Sequence, residues 1–423
     1  MERVVVTDLL TYLRENNLIT KHQHGFMNRR STLTNLLESV NDWTLSLAHK
    51  ATTSIVYIDF TKAFDLVSHT KLMQKIETYG IQGHLLKWIN SFLTNRFQCT
   101  KIGQSLSSWT PICSGVIQGS CLGPLLFLLY INDITDIAVP EVTMKMYADD
   151  MKLYTEINND ENFIDLQHIL NQIHSWSTTW QMPISLTKCS IMNISQPNTE
   201  KEATFTLGSV TLPKSTEVKD LGILIDKHLT FKGHINYVVR TAYARANLIR
   251  RCFVSSHPPT LLRAYKVYVR PLLEYNASVW SPYFVQQITA IENVQRKFTK
   301  CLPGLNKLPY HQRLARLDLE SLELRRLRAD LVVAYKIVFG IMSTDISKYF
   351  KLNTDVNYRN LRRHAYQLVN LAAKYSVVQR TFVNRIIPIW NDLPADTVNF
   401  RSLSLFKQSL TLDILVKYCK ITF

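Results

Sequence analysis

Residues 143–157 read TMKMYADDMKLYTEI. Apolar and polar side chains alternate on both sides of the centre, the two-residue period of a half-buried strand. The turn formers at the centre predict a β-hairpin with two carboxylates, Asp149 and Asp150, at its tip. Taken alone, an Asp pair in a hairpin is ordinary turn chemistry. Working back along the chain, SIVYIDF (54–60) reads as a buried strand whose last residues surface, which puts Asp59 at a strand end. Between the two lies SGVIQGSCLGP (114–124), three glycines and a proline ahead of an apolar helix at 122–131. Small residues there let the backbone approach a ligand closely, and Gln118 offers a neutral hydrogen-bonding head. Two Mg²⁺ ions about 3.5–4 Å apart need hard oxygen ligands from different segments. A strand-end Asp beside a hairpin-tip pair meets that need.

The remaining pattern predicts helices over 4–17, 31–48, 71–79, 84–93, 161–180, 234–252 and 319–341. A short two-stranded pattern falls at 204–212, and KDLGILID (219–226) is strand-like. Helices and short strands mix without regular βαβ alternation, so the fold class is α+β. No repeat or low-complexity segment appears.

At 423 residues the chain has room for two or three domains. Hydrophobic residues at 46%, with only 12 Gly and 14 Pro, exclude a disordered or collagen-like chain. Lys and Arg number 49 against 33 Asp and Glu, a net charge of +16, which points to a polyanionic partner. The excess is local: residues 227–316 hold fifteen Lys or Arg against two acids, Glu274 and Glu292. Within the helix at 234–252, Ile235, Val238, Val239, Ala242, Ala246 and Ile249 share one arc. Arg240, Arg245, Arg250 and Arg251 project elsewhere, as a solvated face or as a surface that tracks phosphates. Tyr243, Tyr265, Tyr268, Tyr275 and Trp280 interleave with the charge as core or stacking rings. Seven widely spaced cysteines without a C-x-x-C pair argue against a disulfide framework or a zinc ribbon. Acids in MERVVVTDLLTYLRENN exclude a signal peptide there, and the apolar run at 122–131 is too short to span a bilayer. The expectation is an intracellular protein, nuclear or cytoplasmic, without a membrane partner.

Five ordered segments then carry a family resemblance: IDFTKAFD (58–65), SGVIQGSCLGPLLFLLYIND (114–133), YADD (147–150), W-x-x-x-W-Q-M-P-I-S-x-x-K-C (176–189) and KDLGILID (219–226). Together they resemble the reverse transcriptase of non-LTR retrotransposons, in particular jockey-like LINE elements. QHGFMNRRST (23–32) looks like the family's fingers motif. VRPLLEYNASVWSPY (269–283), LESLELRRLRADL (319–331) and IIPIWNDLP (386–394) look like its thumb and carboxy-terminal region. The resemblance implies a right-hand polymerase: an antiparallel palm sheet with helices, then a helical thumb and a mainly helical carboxy-terminal region. It implies partial fingers at 1–50, palm at 51–226, thumb at 227–310 and a carboxy-terminal region at 311–423.

It also implies roles. Asp59, Asp149 and Asp150 would hold two Mg²⁺ ions, with Mn²⁺ as a substitute, and Lys188 would protonate the leaving pyrophosphate. Phe64 would lie under the sugar and exclude a 2′-hydroxyl. Phe60, Gln118, Gly119 and Arg30 would line the incoming nucleotide. Leu221 and Gly222 would hold the primer end, and Arg240, Arg245, Arg250 and Arg251 the duplex backbone. The implied partners are an RNA template, a DNA primer and deoxynucleoside triphosphates. Departures exist: Met27 stands where the family usually has a basic residue, Arg29 for a glycine, Ile117 for a proline, Cys121 for an aliphatic residue and Ser185 for an asparagine. The chain opens past the family's first fingers motif, as a truncated element copy would. Two functions follow, an RNA-directed DNA polymerase or a catalytically inactive remnant that still binds nucleic acid.

Overall fold

The computed structural model describes residues 1–196, 204–254, 256–353, 364–369 and 376–421. The chain forms two compact units, one of Met1–Asn35 with Lys50–Thr216, the other of Leu36–His49 with Glu217–Phe423.

The first unit is built on a four-stranded antiparallel sheet. Its strands are β1 (Thr53–Ile58), β2 (Thr143–Tyr147), β3 (Asp150–Glu156) and β4 (Ser190–Ile194), in the spatial order β2-β3-β1-β4. β1 is central because it is apolar on both faces; Ile55 and Val56 are fully buried. β2 and β3 form the hairpin expected at 143–157, with Tyr147 opposite Asp150 across a two-residue turn. Around the sheet lie α1 (Glu2–Glu15), α3 (His69–Thr78), α4 (Gly83–Leu93), α5 (Leu122–Ile131) and α6 (Asp160–Thr179), while α2 (Thr32–Ala48) runs from this unit into the other. α5 is apolar all round and buried on every side, as a helix without a polar face must be. Its Leu126, Phe127 and Tyr130 share one core with Met146, Met151 and Leu153 of the hairpin and with Ile169 and Ile173 of α6. The Asn159 side chain caps α6 by accepting the Asn162 N–H at 3.0 Å, and acids at 160 and 161 suit the positive helix end. Two small ladders, Arg96–Gln98 with Thr110–Ile112 and Lys101–Ile102 with Ser105–Leu106, lie outside the expected elements. Their strands are two or three residues long and exposed, so no buried face imposes a period on the sequence.

The second unit opens with the hairpin β5 (Glu217–Asp220) and β6 (Ile223–Asp226), then is helical. Its longer helices are α7 (Lys232–Cys252), α8 (Pro258–Tyr268), α9 (Val285–Lys300) and α10 (Leu322–Val338). α7 buries Ile235, Val238, Ala242, Ala246 and Ile249 as the periodicity predicts, with His234 added and Val239 only half-buried. Of the interleaved rings, Tyr265 and Trp280 are core, whereas Tyr268 and Tyr275 are exposed. The start of α10 is capped twice. Ser321 Oγ accepts the Leu324 N–H, and the buried carboxylate of Glu292 accepts the N–H groups of Leu322 and Glu323. The architecture is α+β: an antiparallel sheet clad in helices, followed by a mainly helical unit. All seven cysteines are free thiols. Among the described residues no helix is long and apolar enough to cross a membrane.

Candidate active site

β1 and the β2–β3 hairpin converge at one open end of the sheet. The β1–β3 register closes on Ile58 opposite Met151, so Asp59 and Asp150 are the next residues in line. Asp59 leaves the strand half-buried, and its carbonyl accepts the Ser185 N–H at 2.8 Å. Across the turn, Ala148 is left-handed (φ +55°), Asp149 is half-buried and Asp150 begins β3 exposed. The connection after α6 returns beneath Asp59 through a bridge between Phe60 and Ile184. That connection brings up Lys188, whose Nζ lies 3.1 Å from Asp59 Oδ1.

The electrostatics of this corner follow from like charges held close. Asp149 is pushed above its usual carboxylate range, first by burial and then by the charge on Asp59. Its own backbone N–H and the Lys188 ammonium pull the other way. The structure thus gathers Asp59, Asp149 and Lys188. Among the described residues no three His, Cys, Asp or Glu side chains are close enough to form a metal-holding group. The donor set still fits a hard divalent cation: two carboxylate groups from different segments repel each other, and a cation between them would relieve that repulsion. Lys188 is the counter-charge present, on an exposed and movable stem.

The expected nucleotide-lining residues divide. Phe64 is half-buried, stacked on Phe127 at 4.2 Å between ring centroids and met edge-on by Phe26. The Phe60 ring is 3% exposed and packs on Trp176, beside the backbone bridge to Ile184. Gln118 and Gly119 are exposed on the loop before α5, and Gln118 Nε2 donates to Asp65 Oδ1 at 2.7 Å. Arg30 Nη1 donates to the carbonyls of Gln23 and Lys21, so the guanidinium helps hold the amino-terminal turn together.

The nucleic-acid candidates lie in the other unit. Leu221 and Gly222 form the left-handed turn of the β5–β6 hairpin, and the Tyr275 hydroxyl donates to the Leu221 carbonyl at 3.1 Å. Arg240, Arg245, Arg250 and Arg251 are all exposed on α7.

Two residues of this region escaped the sequence reading. Asp65 holds the loop before α5: its carbonyl accepts the Ser114 hydroxyl, and its side chain takes Gln118. Gly115 is required there, since with φ +88° a Cβ would sit 2.8 Å from the Asp65 oxygen. Gln23 bonds the turn of the catalytic-corner hairpin through Ala148. Both lie inside quoted motifs, but a single sequence gives no sign of which motif residue touches which.

The family described as reverse transcriptase (RNA-dependent DNA polymerase) matches residues 1–225. The RNA-directed DNA polymerase from mobile element jockey of Drosophila funebris is 28% identical over 91% of this chain and 41% of its own length. The probable RNA-directed DNA polymerase from transposon BS of Drosophila melanogaster is 26% identical over 74% of this chain and 35% of its own. The chain therefore spans about two fifths of the length of these relatives or less. Among solved structures, apo telomerase from Candida tropicalis is similar with a TM-score of 0.42 and 11% identity, over 82% of this chain and 60% of that one.

Proposed function

We propose that this chain, which belongs to the reverse transcriptase (RNA-dependent DNA polymerase) family, extends a DNA primer on an RNA template as part of a non-LTR retrotransposon polymerase. The observation that carries the reading is the convergence of Asp59, Asp149 and Lys188 at one end of the four-stranded sheet. Two Mg²⁺ ions held by Asp59 and Asp149, with Asp150 drawn in as a further ligand, would acidify the attacking 3′-hydroxyl and stabilise the developing phosphate charge. The hydroxyl, giving up its proton to solvent water, attacks the α-phosphorus of a deoxynucleoside triphosphate, and the bond to the bridging oxygen of the leaving pyrophosphate breaks. Lys188, released from Asp59, gives that oxygen its proton. Phe64, braced by Phe127, presents its ring edge where a ribose 2′-hydroxyl would collide. The exposed arginines of α7 supply the phosphate-tracking face. In this reading residues 1–50 are partial fingers, 51–226 the palm, 227–310 the thumb and 311–423 the carboxy-terminal region.

Primer extension on a heteropolymeric RNA template, with Mg²⁺ and the full chain, tests the proposal. Incorporation that falls at least about a thousand-fold in Asp149→Asn, with unchanged circular dichroism, is the expected result. A folded wild-type chain that extends no primer, or extends it equally after Asp149→Asn, overturns the reading.

A further inference from the structure

Gln23 carries a carboxamide yet is 2% exposed. Its Oε1 accepts the Ala148 N–H at 2.8 Å, and its Nε2 donates to the Ala148 carbonyl at 3.1 Å. One side chain therefore closes on both polar groups of a single residue, the residue that precedes Asp149. The same Oε1 accepts the Gly25 N–H at 2.7 Å, so the amide also fixes its own turn. The backbone on either side is docked as well. The His24 N–H donates to the Met146 carbonyl at 2.8 Å, and the Met146 N–H donates to the His22 carbonyl at 3.0 Å. Residues 22–24 thus lie along β2 through a parallel bridge between Gln23 and Met146. Gly25 completes the fit, because a Cβ there would run into the Ala148 nitrogen. Arg30 holds the far side through the Gln23 carbonyl at 2.8 Å.

The physical need for such a clamp is local. Ala148 is left-handed, a conformation that is unfavourable for a residue with a Cβ. The turn has two residues, so any relaxation of Ala148 swings Asp149. Asp149 is moreover held against the like charge of Asp59. A carboxylate with those two reasons to move stays in place only if the neighbouring peptide is fixed. Removing the amide would leave buried Ala148 groups unpaired, which adds a further penalty.

We propose that Gln23 is a positioning residue for Asp149, acting through the Ala148 peptide, and that the 22–25 turn exists to hold the acidic hairpin in register. The proposal rests on the catalytic reading of that hairpin. It is tested on the full chain with Gln23→Ala and the near-isosteric Gln23→Met, which keeps volume but makes neither hydrogen bond. Hydrogen–deuterium exchange should rise about tenfold at residues 147–150 in both variants while the amides of α6 stay unchanged. Mn²⁺ binding, followed by electron paramagnetic resonance with the metal alone, should weaken about ten-fold or more, as for other residues that orient metal ligands. In primer extension kcat should fall about 10–100-fold while the KM for template–primer stays within about twofold. A chain inactive even as wild type would sink the catalytic reading, while exchange and Mn²⁺ affinity would still judge the clamp. Unchanged exchange at 147–150 with unchanged Mn²⁺ affinity in Gln23→Met overturns it. So does a rise in exchange spread equally over α6, which would mark a merely structural role.

Discussion

Phe64 is where core packing and the proposed sugar selectivity meet in one side chain. Its ring is stacked on Phe127 of α5, with planes 13° apart, yet it is only half-buried. A ring fixed from behind can exclude by volume, whereas a free ring would turn aside. Phe64→Val should therefore let ribonucleotides into the extended strand, raising the ratio of ribo- to deoxynucleotide use by at least about tenfold, since a single steric contact is worth 1–3 kcal/mol. Competitive incorporation assays measure that ratio; an unchanged ratio would remove Phe64 from sugar recognition. The loss of a half-buried aromatic contact should also lower stability by about 2 kcal/mol, readable by urea titration. The motif made this residue legible in the sequence, whereas the contacts of Phe60 and Arg30 were not. Phe60 bridges to Ile184, and Arg30 bonds the carbonyls of Lys21 and Gln23. A one-dimensional pattern does not record such contacts.

At the scale of elements, periodicity and apolar runs located the sheet, the helices of the first unit and α7 and α10 to within a few residues, because most of these bury one clear face. They did not explain the W-x-x-x-W spacing at 176 and 180. The structure supplies the reason through α3. Lys75 is 4% exposed, with its ammonium 3.7 Å from the Trp180 ring centroid, 4.9 Å from that of Trp176 and 5.0 Å from that of Tyr130. It also donates to Asp133 and to the Tyr130 carbonyl. α3, α5 and the end of α6 are thus pinned by one buried cation in an aromatic box. Burial outweighs Asp133 and lowers the Lys75 pKa to about 8 from an ordinary 10.5. The folded state therefore loses this proton as pH rises past 8, while the unfolded chain keeps it until about 10.5. At this group the unfolded chain binds more protons across that window, so the Lys75 contribution to stability should rise with pH from 8 toward 10. Above 10 the trend reverses, because Tyr79 and Tyr130, both raised to about 12 by burial, ionise first in the unfolded chain. Buried Cys189 and half-buried Cys419, whose thiols burial raises, pull the other way above about pH 9. The readout is therefore a difference: in denaturant titrations at stepped pH, wild type minus Lys75→Met should rise from 8 toward 10. A difference that stays constant or falls over that interval contradicts the assignment.

For the whole molecule, the charge reading was legible in outline. Residues 227–316 carry the basic excess, and the arginines of α7 that hold part of it are exposed. The division into units was less legible, since chain order does not follow it. Residues 36–49 sit in the sequence between two stretches of the first unit but belong to the second. Their place there is physical. Leu36, Leu37, Val40, Trp43 and Leu47 are buried, and Asn41 Nδ2 donates to the Lys348 carbonyl at 3.2 Å. Leu37, Val40 and Thr44 line a small cavity with Phe231, Trp280, Tyr349 and Phe382 of the same unit. A fragment of residues 217–423 would lack that apolar face and leave those rings uncovered. Burial of a large aliphatic or aromatic side chain contributes about 1.5–3 kcal/mol, so losing five removes as much as a typical domain's whole stability. The 217–423 fragment should accordingly bind a hydrophobic dye and melt without cooperativity. The same fragment preceded by residues 36–49 on a Gly/Ser linker should regain a cooperative thermal transition by circular dichroism. Equal melting of the two would show that the second unit folds without the helix it draws from the first.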